Sequence, residues 1–158
     1  MTKYRFEDYN EYNVLKVPLL LVLASIYLLK HFLIFALPMI STIPFLVRFA
    51  HLQFSVPLVL SGIPAILVIV AMLRRIPKTR SPILRGIWQW GKALLLSSLL
   101  LEVGFTILYI VLELKKFNEV SLVFLYLDIV LIIYLIKSQR VREVFAEFPD
   151  KDWSEDNR

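Results

Sequence analysis

Cysteine is absent from the chain, which excludes disulfides, thiolate-held metals, iron–sulfur clusters and cysteine nucleophiles. Glycine is nearly as scarce: there are four, none spaced as a phosphate-cradling loop or a dinucleotide fingerprint, so nucleotide binding is not expected. The two histidines, His31 and His51, lack the one-turn spacing and accompanying carboxylate of a metal-binding set. Ser97 and Ser98 have no nearby histidine and no glycine-rich elbow; serines in the middle of membrane helices ordinarily bond to backbone or to a neighbouring helix. No catalytic residue, metal or cofactor is therefore expected.

What the chain has in abundance is apolar length. Of its 158 residues 58% are hydrophobic and 20% charged, and the charges cluster between long apolar runs, a membrane pattern rather than a globular one. A bilayer core of about 30 Å needs roughly 20 apolar residues per helix. The expectation is an all-α integral membrane four-helix bundle, with residues 1–149 a single transmembrane domain and residues 150–158 a polar, disordered tail. The net charge of +5 lies mostly beside the predicted membrane edges, so it reads as an orientation signal and not as a nucleic-acid surface. Glu7, Asp8 and Glu11 precede the first apolar run and no small-residue cleavage site follows it, so that run is expected to remain as a helix.

Residues 1–16 mix charges with Tyr4, Phe6, Tyr9 and Tyr12, a composition suited to the headgroup region. Spans are predicted over residues 18–37, 57–73, 90–112 and 120–136. Pro18 suits a first helical turn, Pro38 offers a stop, and Pro64 should kink the second span. Residues 38–56 hold Pro44, Arg48, His51 and Gln53, which favours a re-entrant piece or an outer-surface helix over a crossing. Lys115, Lys116 and Asn118 mark a short connection between the third and fourth spans, making those two antiparallel neighbours. Val141, Val144, Phe145 and Phe148 recur at helical offsets on one face of a short C-terminal amphipathic helix, ended by Pro149. That face is expected to lie on the membrane or to grip a partner.

The connection over residues 74–92 contains Arg74, Arg75, Lys78, Arg80, Arg85 and Lys92 and no acid. It either sets topology alone or also binds anionic lipid headgroups, with Trp88 and Trp90 anchoring its exit at the interface. Fourteen Lys and Arg residues fall in the N-terminal segment, this connection and the C-terminal tail, against three in the other two connections. Positive charge collects on the cytoplasmic side, which predicts both termini in the cytoplasm.

Three ionisable residues stand inside apolar runs: Lys30, Glu102 and Asp128. Each costs roughly 2.5 to 3.5 kcal/mol at a helix centre, so something should compensate it. At about 1.5 Å per residue, Lys30 and Glu102 fall roughly 18 Å from the cytoplasmic edge and Asp128 roughly 12 Å. Ser98, Glu102, Thr106 and Tyr109 share one helical stripe, which turns Glu102 toward the protein interior. If the three charges meet, two acids face one ammonium, and either a carboxyl stays protonated or His31 supplies the missing charge. Three readings remain open: a packing-specific ion pair, a proton or ion path, and an assembly contact in which Glu102 or Asp128 meets a basic residue of another protein.

Toward one end of the sequence stand Tyr4, Phe6, Tyr9, Tyr12, Leu15, Lys16 and Pro18; toward the other stand Arg140, Val141, Arg142, Phe145, Ala146, Phe148 and Pro149. In these two runs the sequence resembles the YfeZ-like inner-membrane proteins of Gram-negative bacteria, classed under a domain of unknown function. Asn13 stands where that pattern leads one to expect glycine. The resemblance implies a bacterial inner membrane and brings no catalytic residues. The expected role is a non-enzymatic accessory or assembly subunit that binds another membrane protein or itself. The alternative is a small proton-coupled transporter or channel working through Glu102 and Asp128.

Overall fold

The computed structural model describes residues 6–10, 14–75, 81–113 and 119–148. Tyr4, Tyr12, Lys78, Arg80, Lys115, Lys116, Asn118, Pro149 and the tail from residue 150 lie outside the described residues.

The chain enters through a 3-10 turn, Phe6–Asp8, and a short antiparallel pairing of Tyr9 with Leu15. Pro18 then starts α1, Leu19–Tyr27. The expected first span continues as α2, Lys30–Ile40, but bends by 54° at the junction. The bend sits one turn after Ser25, whose hydroxyl donates to the Leu21 carbonyl at 2.8 Å, a back-bond that bends helices. Pro38 does not stop α2 as predicted: the helix runs on to Ile40, and the Ser41 N–H still reaches the Leu37 carbonyl at 2.9 Å. In apolar surroundings, losing one backbone bond at a proline costs less than unwinding into lipid.

The segment that left two readings open is a ten-residue helix, α3, Pro44–Gln53. At about 1.5 Å per residue it is too short to cross a bilayer; it turns back against α2 and buries Ala50 and Gln53. Next come α4, Val56–Ser61, and α5, Ile63–Leu73, which together make one span jointed at Gly62. The joint falls two residues before Pro64, which has no N–H to offer the preceding turn. A Cβ on Gly62 would lie 2.7 Å from the Phe32 ring, so glycine lets α2 approach this joint.

The basic connection holds a further helix, α6, Pro82–Gln89, before α7, Gly91–Val111, and α8, Glu119–Lys137. After one residue the chain turns into α9, Gln139–Ala146, whose first turn is capped by the Ser138 hydroxyl accepting from the Val141 N–H. Helix α7 is central, packing against α4, α5, α8 and α9. Leu21, Val68, Leu95, Leu99 and Leu135 are fully buried around it.

Outward faces are apolar: Leu100, Ile107, Val111, Leu122 and Ile133 are all exposed. Surfaces of that extent are unsuited to water and suited to lipid. Three helical stretches, α4–α5, α7 and α8, are long and apolar enough to cross a membrane, and four if the bent pair α1–α2 is one span. The chain has the build of an all-helical membrane protein.

Candidate functional site

Lys30 and His31 open α2 immediately after the bend, while Glu102 lies halfway along α7 and Asp128 halfway along α8. The structure brings all four together. The Lys30 ammonium contacts Glu102 Oε1 and stands 3.4 Å from Asp128 Oδ1. His31 Nε2 lies 2.9 Å from the same Glu102 oxygen. Relative exposures of 8% for Lys30, 4% for His31, 2% for Glu102 and 1% for Asp128 place the whole set inside the protein.

Two aromatic residues complete the group. The Tyr27 hydroxyl lies 2.9 Å from Asp128 Oδ1 and 3.1 Å from the Phe124 carbonyl. Its ring carries the Lys30 ammonium 3.7 Å from the centroid, and the Phe124 ring stands 5.4 Å from the same cation. A desolvated ammonium gains from such ring faces. Neither residue was singled out from sequence, although the spacing held a signal: Tyr27 precedes Lys30 and His31 by three and four residues, and Phe124 precedes Asp128 by four, so each shares its partners' helical face. Among the described residues no set of three or more His, Asp or Glu side chains is placed to hold a metal ion.

The polar stripe of α7 faces α4 and the chain leading into it. The Ser98 hydroxyl donates to the Ser61 carbonyl, and Ser55 Oγ donates to the Tyr109 hydroxyl at 2.8 Å. Thr106 is half-buried between them.

A second polar cluster closes the end of the molecule where the segment before α1 meets α9. The Leu15 N–H donates to Glu147 Oε2 at 2.8 Å. The Arg75 guanidinium donates to the Leu15 carbonyl and to the Glu147 carbonyl, each at 2.9 Å, and lies 4.8 Å from the Trp88 ring. The Trp88 indole N–H is shared between the Val144 and Glu147 carbonyls at 3.0 Å, and Arg140 pairs with Asp8 at 2.9 Å. Burial pulls the Arg75 pKa down to about 10, against the opposing pull of nearby Glu147. The side chain therefore remains a cation near neutral pH.

This clasp corrects two sequence expectations and adds to a third. Arg75, read as part of a topology or lipid-binding loop, is buried and ties Leu15 and Glu147 to the end of α5, a place compatible with its count as a topology charge. Trp88, expected at the membrane interface, is fully buried; the exposed aromatic there is Trp90, at 70%. The amphipathic face is also not free for a partner: Val141, Val144 and Phe145 are buried and Phe148 half-buried against the chain's own core. The Phe145 ring occupies the space a Cβ on Gly91 would need. An apolar face on a short terminal helix looks the same in sequence whether its cover comes from the same chain or another. The other described members of the basic set are dispersed: Arg74 ends α5, Arg85 stacks over Phe148 at 5.2 Å, and Lys92 reaches toward the Ile136 carbonyl at 3.4 Å.

Comparison with known proteins finds no curated protein and no solved structure that matches the chain. A family model does match, over residues 4–147, and its description is "Protein of unknown function (DUF2919)". The matched stretch takes in the segments joined at the clasp, every apolar span and all four ionisable residues of the buried cluster, so the chain belongs to the DUF2919 family of proteins of unknown function.

Proposed function

We propose that this chain is a non-enzymatic, multi-pass protein of a bacterial inner membrane whose buried charge cluster is the proton site of a small transporter or channel. One observation carries the reading: Lys30, His31, Glu102 and Asp128, from three helices, converge at one buried point beside the bend in the first span. A clamp needs only one acid and one base. Here two carboxylates face one ammonium, so the neutral cluster holds one further proton, which can sit on His31 against Glu102 or on Asp128 against Tyr27. Moving it between those positions leaves the net buried charge unchanged, the condition that makes transfer through an apolar interior affordable. Intramembrane ionisable groups commonly mark such paths.

Sidedness follows from two supports. The N-terminal segment, the start of the basic connection and α9 gather at one end of the molecule, and they belong to the segments with the excess of Lys and Arg. By the positive-inside rule this end and both termini are cytoplasmic. The resemblance at both chain ends supports a Gram-negative inner membrane. The test is pH-driven flux in proteoliposomes, expected for the wild type and lost in Glu102→Gln and in Asp128→Asn; flux that survives both changes rejects the reading.

The accessory-subunit reading keeps one specific support. Along its 19 residues α8 buries only Asp128 and Leu135, leaving a long apolar surface for lipid or another membrane protein. It predicts a stoichiometric foreign partner in mild-detergent extracts, released by Ile129→Trp with Ile133→Trp on the exposed face.

A further inference from the structure

Where α7 and α8 reach the clasp end, the described residues include cations that no carboxylate pairs with, beside the paired Arg140 and Asp8. Helix α7 begins with Gly91 and Lys92, α8 closes on Lys137, and α9 carries Arg142 one turn further on. Between the end of α6, the first turn of α7 and α9 lies a pocket of about 330 Å³ lined by Gln89, Lys92, Arg142, Phe145 and Ala146. None of these five residues is acidic. The Arg142 guanidinium makes no hydrogen bond or ion pair among the described residues, and the Lys92 ammonium has only the 3.4 Å approach to the Ile136 carbonyl. Arg75 and Arg140, on the same end, are committed to carbonyls and to Asp8. Among the described residues, Lys92 and Arg142 line this cavity with no carboxylate paired to either.

Location narrows what could fill it. Lys92 stands in the first turn of an apolar span, beside the last turn of another, and Trp90, largely exposed, lies two residues away in the position aromatic side chains take at a membrane surface. We propose that this pocket binds the phosphate of an anionic phospholipid, between the Lys92 ammonium and the Arg142 guanidinium, with the Gln89 amide as a further donor. Guanidinium groups pair with phosphate oxygens in bidentate fashion, and basic pockets between membrane helices recognise anionic headgroups. Phenylalanine and alanine walls fit the neutral part of a headgroup, and acyl chains can continue along the exposed apolar faces of α7 and α8. The assignment is independent of proton movement at the buried cluster. A free phosphate-bearing solute shares the chemistry and is separated from lipid by the test.

The full chain, purified in mild detergent, is titrated with phosphatidylglycerol and separately with zwitterionic phosphatidylethanolamine, bound lipid being counted by native mass spectrometry. Phosphatidylglycerol is expected to bind preferentially. Lys92→Gln and Arg142→Gln should each weaken it about five-fold, and the double variant about twenty-fold or more. Arg48→Gln removes the same charge from exposed α3, away from the pocket, and should leave affinity unchanged, while Arg142→Lys should retain most of it. Equal binding of both lipids, or an equal loss in Arg48→Gln and Arg142→Gln, would overturn the proposal. Displacement by millimolar inorganic phosphate would overturn the lipid assignment in favour of a soluble phosphate compound; resistance to it supports the lipid. Unchanged melting temperatures for the Gln variants confirm that loss of binding is not loss of fold.

Discussion

The protein buries cations in two places and neutralises them in opposite ways. In the clasp, Arg75 rests on two backbone carbonyls and the face of Trp88; in the cluster, Lys30 rests on two carboxylates, with His31 and Tyr27 bonded to the same acids. The groups that hold Arg75 itself are carbonyls, which do not titrate; the clasp's carboxylates, Glu147 and Asp8, accept from the Leu15 N–H and from Arg140 instead. In the cluster the groups that hold the cation are carboxylates, and the proposed proton site rests on that difference. Burial of a cation alone therefore says little about function; the chemistry of its partners says more.

The strongest way to break this contrast is to remove the packing on which the clasp rests. Phe145→Ala should cost about 3 to 5 kcal/mol, because the ring is buried between Gly91 and Trp88, and should lower the melting temperature in detergent sharply. Arg75→Met should cost about 2 kcal/mol by leaving the Leu15 carbonyl unsatisfied and the Glu147 carbonyl with the Trp88 indole as its remaining side-chain donor. Its pH profile sharpens the comparison. The folded-state pKa of Arg75 is lowered from its ordinary value to about 10, so burial disfavours the charged form, and that cost fades only as pH rises above this value. Between about pH 5 and 9 the residue is protonated in folded and unfolded chains alike, and the Arg75→Met loss should be level there. A loss that changed steeply across this range would show that a titrating partner had been missed. In Glu102→Gln, by contrast, Asp128 still faces the Lys30 ammonium, so stability should fall by no more than about 2 kcal/mol while proton flux is lost; a loss as large as that of Phe145→Ala with flux intact would place the cluster with the clasp as a fastener. The smallest effect, about 1 kcal/mol, is expected for Ser55→Ala, which removes one neutral bond to Tyr109.

The legible part of the site lay in single residues whose chemistry clashes with their surroundings. Lys30, Glu102 and Asp128 stand out because each interrupts an apolar run, and a charge in lipid demands a partner. The stripe through Ser98 and Tyr109 pointed inward for a similar reason. Arg75 and Trp88 were not legible, because an arginine after a span and a tryptophan before one are also what a membrane surface selects. Only the carbonyls of Leu15, Val144 and Glu147, brought from distant parts of the chain, give these two side chains an interior role.

By itself the sequence determined that the chain is helical and apolar enough to cross a membrane several times, since hydropathy and proline placement act over a few residues. It also determined which charges must find partners. Tertiary structure decided which partners those are. It joined Lys30 to Asp128 across 98 positions and Leu15 to Glu147 across 132, bent the first span, turned the amphipathic face of α9 inward and left Lys92 and Arg142 lining an open pocket. Contacts over such separations depend on how helices pack, and no local pattern of residues encodes that packing.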